Sequence, residues 1–235
     1  MKNIPNLITC LNLLAGCMAC VMALKYENYT GAFIFITFSA VFDFLDGFAA
    51  RLLRTYSKLG AELDSLADVI SFGLAPGCII YIYFESISAY TPFSGFSFLA
   101  FLLPMFSAIR LAKFNVDTRQ SVSFLGLPVP ASSLFWASFI PSILPYTQNN
   151  PLVWLIIIFS LLIIFCLLLV SEIPMFSLKI KSIQWKGNEW PYSFILLSIL
   201  TLILFYHLGL FLLGFSITVI IFIGMSLIKN TIFKS

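Results

Sequence analysis

From Leu152 to Val170 the sequence reads LVWLIIIFSLLIIFCLLLV, an apolar run without one charged side chain. A barrel strand would alternate and be about half as long, so the run marks a membrane-spanning α-helix of roughly 20 residues. The rest of the chain has the same character. Of 235 residues, 60% are hydrophobic and 10% charged, 26 are Phe, and the mean hydropathy is +1.03. Soluble globular domains lie far from those values.

Outward from that helix, a window of about 19 residues gives eight candidate spans at 4–24, 31–53, 62–84, 94–114, 128–145, 151–171, 191–207 and 209–228. The fold class is all-α, a polytopic membrane helix bundle of about eight spans. Residues 1–235 form a single integral membrane domain, because no Gly-, Ser- or Pro-rich linker sets off a soluble one. The last two spans are divided only by a tight turn near His207 to Gly209, which fits two helices or one broken, re-entrant segment.

Lys and Arg collect in short cytoplasmic loops. With both termini inside, Lys2, Arg51, Arg54, Lys58, Arg110, Lys113, Arg119, Lys179, Lys181, Lys186, Lys229 and Lys234 fall on the inner side, leaving only Lys25 outside. An even number of spans and the charge bias agree. The net charge of +3 is then a topology signal and a weak attraction to anionic membrane lipids, with no reason to invoke nucleic acid.

The N-terminus, with Lys2, an apolar run and Leu14-Ala15-Gly16-Cys17, mimics a bacterial lipoprotein signal. Pro5, Asn6, Thr9 and Asn12 interrupt that run, and a lipid-anchored Cys17 makes little sense ahead of seven further spans. The five cysteines, Cys10, Cys17, Cys20, Cys78 and Cys166, are odd in number and follow no zinc spacing, so they read as small buried hydrophobes.

Against this apolar background, Phe42 to Asp68 reads FDFLDGFAARLLRTYSKLGAELDSLAD. Asp43 and Asp46 are three apart, Asp64 and Asp68 four apart, so on helices each pair shares one face. The second span runs toward the cytoplasm and the third leaves it, so the two faces can meet near the inner interface. Two carboxylates about 4 Å apart repel by roughly 4 kcal/mol at an effective dielectric near 20. Two divalent cations offset four such charges, and hard oxygen ligands without His or Cys point to Mg²⁺ or Mn²⁺. Paired-metal sites of that kind suit phosphoryl or phosphodiester chemistry. Gly47, Ala50 and Gly60 leave the backbone open to a nucleotide or pyrophosphate, or simply let helices pack closely.

These residues resemble the signature of the CDP-alcohol phosphatidyltransferase family, D-x2-D-G-x2-A-R-x8-G-x3-D-x3-D. All its fixed positions are filled, by Asp43, Asp46, Gly47, Ala50, Arg51, Gly60, Asp64 and Asp68. The resemblance implies that an alcohol attacks the lipid-linked phosphorus of a CDP-lipid, releasing CMP at a site open to the cytoplasmic interface. It implies that Asp43, Asp46, Asp64 and Asp68 are metal ligands, that Asp68 is also the general base, and that Gly47, Ala50, Arg51 and Gly60 border the CDP group. A carboxylate is a weak base for a hydroxyl, so base and metal are both needed. It also implies a six-span catalytic core over 4–171, with additional C-terminal helices over 191–228.

Three further stretches, ELDSLADVISFGLAP at Glu62–Pro76, RLAKFN at Arg110–Asn115 and FLGLPVPA at Phe124–Ala131, resemble the phosphatidylserine synthase branch, as does IPNLIT at the N-terminus. Lys113 stands where Arg is more usual, and the resemblance beyond about residue 145 rests on hydropathy alone. The branch implies CDP-diacylglycerol as donor, L-serine as acceptor, a homodimer, and the bacterial inner (cytoplasmic) membrane as location. Arg110 and Lys113, at the inner end of the fourth span, suit an amino-acid carboxylate or a phosphate, or they snorkel to the interface. Asn115 reads as a helix cap, Glu62 as solvated and His207, the only histidine, as structural. One histidine excludes a phospholipase D-type route through phosphohistidine, so the expected reaction is one direct displacement with inversion at phosphorus. Another acceptor alcohol, such as glycerol 3-phosphate or inositol, or an ether-lipid donor is the alternative within the family. A divalent-cation transporter is the alternative outside it, although its acids should lie at mid-span rather than beside one interface.

Overall fold

The computed structural model describes residues 3–88, 95–117, 124–147, 149–177, 184–185 and 187–233. Their helices are α1 (Ile4–Leu24), α2 (Tyr29–Leu53), α3 (Lys58–Asp68), α4 (Ala75–Ser88), α5 (Leu102–Val116), α6 (Val129–Thr147), α7 (Pro151–Val170), α8 (Glu189–His207) and α9 (Phe211–Phe233). Two short strands, β1 (Phe124–Leu125) and β2 (Pro174–Met175), pair antiparallel. The third span is continuous from Lys58 to Ser88, because α3 passes into α4 through a π-helical turn at Val69–Leu74. A 3₁₀ turn at Phe96–Phe101 leads into α5.

Local chemistry sets the ends that matter to the site. The Asn28 side chain accepts from Gly31 N at 2.8 Å and caps α2. Arg54, at φ 51°, ends that helix in the left-handed conformation, and Thr55 N returns to Ala50 O at 3.1 Å. Ser57 then caps α3 by accepting from Gly60 N at 3.0 Å. Start and stop signals thus lie three residues apart in sequence, at Arg54 and Ser57, which fixes α2 and α3 as a tight pair. The cap also starts the third span at Lys58, ahead of the expected residue 62.

Among the described residues, seven helical stretches are long and apolar enough to cross a membrane, so this is an integral membrane bundle. The expected span at 128–145 is a helix, α6, but it is not one of the seven. It carries buried Ser132, Ser133 and Ser138 and internal Pro141 and Pro145, and it lies in the core, with Trp136, Phe135 and Ile140 enclosed. Phe135 stacks on Phe165 of α7 at 4.3 Å, and the Ser138 and Ser216 hydroxyls of α6 and α9 pair at 2.7 Å. At Ser138 a neighbouring helix supplies the partner that lipid would not, whereas Ser132 Oγ and Ser133 Oγ are buried without one.

The last two spans are separate helices. Gly209, at φ 71°, turns the chain, and Leu210 N bonds Phe205 O at 2.8 Å. Only Pro191 of α8 is buried; Trp190 and Phe194 pack partly against the core, and most of its leucines and isoleucines are exposed. Of the cysteines, Cys78 and Cys166 are buried and Cys20 half-buried, whereas Cys10 and Cys17 lie on the outer face of α1 and correct the expectation that all five fill the interior. Exposure to hydrocarbon costs such a side chain nothing. Among the basic residues counted for topology, Lys2, Arg119, Lys179, Lys181, Lys186 and Lys234 lie outside the described residues.

Candidate active site

The tight α2–α3 pair brings acidic side chains together. One carboxylate oxygen from each of Asp43, Asp64 and Asp68 lies within 4.8 Å of the others. Asp43 and Asp64 are half-buried, and Asp68 is 8% exposed. Asp46 sits beside this trio, close enough for its charge to act on Asp43, Asp64 and Asp68, with its Oδ2 accepting from Thr9 Oγ1 at 2.6 Å. The structure therefore brings three of the four aspartates into one cluster and ties the fourth to α1.

Helix α1 supplies a polar stripe whose residues, in the sequence, stand only as interruptions of an apolar run. Asn6, Thr9 and Asn12 recur every three residues and face the acidic helices. Asn12 is fully buried; its Nδ2 donates to Asp68 Oδ1 at 3.2 Å, and its backbone carbonyl accepts from Ser39 Oγ at 3.1 Å and Ser71 Oγ at 3.0 Å. A Cβ on Gly16 would lie 2.4 Å from Ser71 Oγ and 2.7 Å from Ser71 Cα, so α1 approaches the third span as closely as a glycine permits.

Beside the acids, a cleft of ≈ 180 Å³ opens between α1, the end of α2 and the start of α3. Gly47, Ala50 and Gly60 line it together with Asp46, Asp64 and Asn6. Arg51, exposed on the last turn of α2, lies alongside Gly47, where an added Cβ would be 3.5 Å from its Nη1. Thr55 also lines the cleft, and its buried Oγ1 has no hydrogen-bond partner.

A second cavity, of ≈ 220 Å³, holds Arg110 and Lys113. Arg110 is buried to 7% exposure, lies within electrostatic reach of Asp68, and stacks its guanidinium over Phe114 at 5.6 Å. Its Nε has no partner. Lys113 is exposed, with Nζ 3.5 Å from Val170 O. Arg110 is thus held between the acidic cluster and this cavity, which simple snorkelling does not require. Asn115 donates to Ser65 Oγ at 2.9 Å, Glu62 is exposed, and His207 is exposed at the end of α8.

The donor set suits a hard divalent cation. Three carboxylates converge, Asp64 Oδ1 and Asn12 Oδ1 are buried without partners, and unit charges 4.8 Å apart repel by about 3.5 kcal/mol at a dielectric near 20. Such an array is stable when a cation sits within it.

Residues 2–166 match the family model described as CDP-alcohol phosphatidyltransferase. A Helicobacter pylori protein named CDP-diacylglycerol--serine O-phosphatidyltransferase is 39% identical over 138 residues, covering 55% of this chain and 54% of the relative. Proteins of the same name from Bacillus subtilis and Methanocaldococcus jannaschii are 37% identical over 150 residues (63% and 78% coverage) and 36% identical over 154 residues (66% and 68%). The match spans about half of the Helicobacter relative. The acidic cluster and its cleft lie wholly inside the matched region, and the chain belongs to the CDP-alcohol phosphatidyltransferase family.

Proposed function

We propose that this chain transfers the phosphatidyl group of CDP-diacylglycerol to the hydroxyl of L-serine, giving phosphatidylserine and CMP. One observation carries the reading: Asp43, Asp64 and Asp68 converge between a cleft with an open backbone and a cavity that holds a buried arginine. The names of the three relatives supply the choice of serine.

In this reading Asp43, Asp46, Asp64 and Asp68 hold two Mg²⁺ or Mn²⁺ ions, which when bound supply positive charge against the pyrophosphate and lower the cost of ionising the alcohol. The cleft at Gly47, Ala50 and Gly60 receives the CDP group, with Arg51 at its edge. Arg110, with Lys113, offers the cation that the serine carboxylate needs, and it orients the hydroxyl toward the acids. Asn12 occupies Asp68 Oδ1, which leaves Oδ2 to take the hydroxyl proton. The serine oxygen then forms its bond to phosphorus while the bond to the CMP oxygen breaks, with inversion. Burial of Asp68 and Arg110 keeps water from competing as acceptor.

The same reading makes 1–235 one membrane domain, with the catalytic core over 4–171 and additional helices over 191–228. The site faces the cytoplasm, supported by the one-sided distribution of basic residues. A bacterial inner-membrane location and a homodimer complete it, both by family resemblance.

The test is to supply purified protein with CDP-diacylglycerol, Mn²⁺ and a panel of alcohols including serine, glycerol 3-phosphate and inositol. Phosphatidylserine should appear in step with CMP. A different lipid, or CMP release that ignores the alcohol offered, overturns the reading.

A further inference from the structure

Beyond α7 the chain passes through Ser171 and Glu172 to β2, and this stretch forms one side of the cavity that holds Arg110. The groups that fix it come from the far end of the sequence. Near the end of α9, Asn230 Nδ2 donates to Pro174 O at 2.6 Å. The buried ring of Phe176 packs against Phe194 of α8 at 5.8 Å and Phe222 of α9 at 4.8 Å, and those two meet each other at 5.6 Å. Three elements therefore share one aromatic cluster immediately after the strand.

The strand carries this constraint across the cavity. Leu125, which also lines it, pairs with Pro174, Gly126 N bonds Ile173 O at 2.9 Å, and Leu127 N bonds Leu168 O at 2.9 Å. Gly126 is at φ 74°, and a Cβ there would fall 2.6 Å from Leu169 O, so the turn is pressed onto the end of α7 with no space for a side chain. By contrast, the cleft beside Asp46 is lined only by residues between Pro5 and Asp64, none of which belongs to these elements. The region that defines the family ends at residue 166, before both β2 and the C-terminal helices.

We propose that Asn230 and the Phe176–Phe194–Phe222 cluster form a brace that holds residues 173–175 and so positions Ser171 and Glu172 in the wall of the acceptor cavity, so that α8 and α9 set how well the small alcohol is bound. The proposal rests on reading the Arg110 cavity as the acceptor site. Asn230 and Phe222 are positioning residues, and neither touches substrate.

Two variants test it, Asn230→Leu, which removes the donor while keeping the branching and heavy-atom count, and Phe222→Leu, which keeps an apolar side chain but loses the ring contacts. In each, KM for serine should rise about fivefold, the factor that goes with one ordinary buried hydrogen bond. KM for CDP-diacylglycerol should stay within about twofold, since the two sites share no residue. An unchanged serine KM in both variants, or a parallel rise for both substrates, overturns the brace. A second readout needs no turnover and so separates this proposal from the assignment of activity. A cysteine placed by Ser171→Cys in detergent-solubilised protein, followed by mass spectrometry at that residue, should react with a maleimide about fivefold faster when combined with Asn230→Leu. Equal labelling rates overturn the brace even if wild-type protein makes no lipid from serine.

Discussion

Replacing Asn12 with leucine isolates one hydrogen bond at the centre of the site. The side chain is fully buried, and leucine matches its branching and heavy-atom count with bulkier methyl groups, so the shape is largely kept. The bonds from Ser39 and Ser71 survive, because they end on the Asn12 backbone carbonyl. What disappears is the donation from Nδ2 to Asp68 Oδ1 at 3.2 Å, together with the buried Asn12 Oδ1 that has no partner within the protein. A hydrogen bond to an ionised group contributes about 1.5–3 kcal/mol, and the distance lies at the long limit of the normal range, which selects the lower figure. About 1.5 kcal/mol is roughly a tenfold change in rate. Measured by CMP release at saturating serine and CDP-diacylglycerol, kcat should fall about tenfold while both KM values stay within about twofold. Helical circular dichroism and the unfolding midpoint in detergent report whether the bundle is intact. Turnover within about twofold of wild type, in a folded variant, would refute the idea that Asn12 orients the base.

Asp68→Asn should abolish transfer, by a factor of about 10² or more, and leave the helical content unchanged; near-normal turnover would remove Asp68 as the base. Arg110→Ala should raise KM for serine at least about tenfold and far more than KM for CDP-diacylglycerol, with Arg110→Lys between the two because it keeps the charge but loses the planar fork. Equal effects on both substrates would reassign Arg110. Gly16→Ala should destabilise the bundle by about 1–3 kcal/mol, seen as a lower unfolding temperature, since its new methyl meets Ser71 at 2.4 Å. Stripping divalent cations with a chelator should also lower that temperature in wild type and be reversed by Mn²⁺, whereas Asp43→Asn should show a smaller response.

How much of this could be read from the sequence depends on where each residue finds its partner. The run Leu152–Val170 needs only its own neighbours to declare a helix, and it is α7. Asp43 and Asp64 likewise announce themselves, because charge in an apolar stretch demands a reason. Thr9 and Asn12 do not: their partners lie 37 and 56 residues away, and in sequence they merely interrupt a span. Their three-residue spacing with Asn6 was the available signal, a polar stripe on one face of an otherwise apolar helix. Residues 128–145 read as one candidate span on average hydropathy, and the buried serines and internal prolines of that segment belong to a helix surrounded by protein. The brace was beyond reach for the same reason as Asn12, since Asn230 and Pro174 are 56 residues apart.

The wide turn at Val69–Leu74 has a consequence for what the third span tolerates. Upstream of it, Asp64 and Asp68 aim at Asp43; at its end and beyond, Gly73 and Gly77 abut Pro104 of α5, where an added Cβ would lie 3.2 and 3.1 Å away. A regular helix advances about 100° per residue, so shortening this turn by one position would swing one half against the other by about that angle. Either the acids would lose their common focus or the glycines would lose their seat. A single-codon deletion there acts as a rotation of the half that carries the acids, which makes the turn the phase-setting joint of the third span.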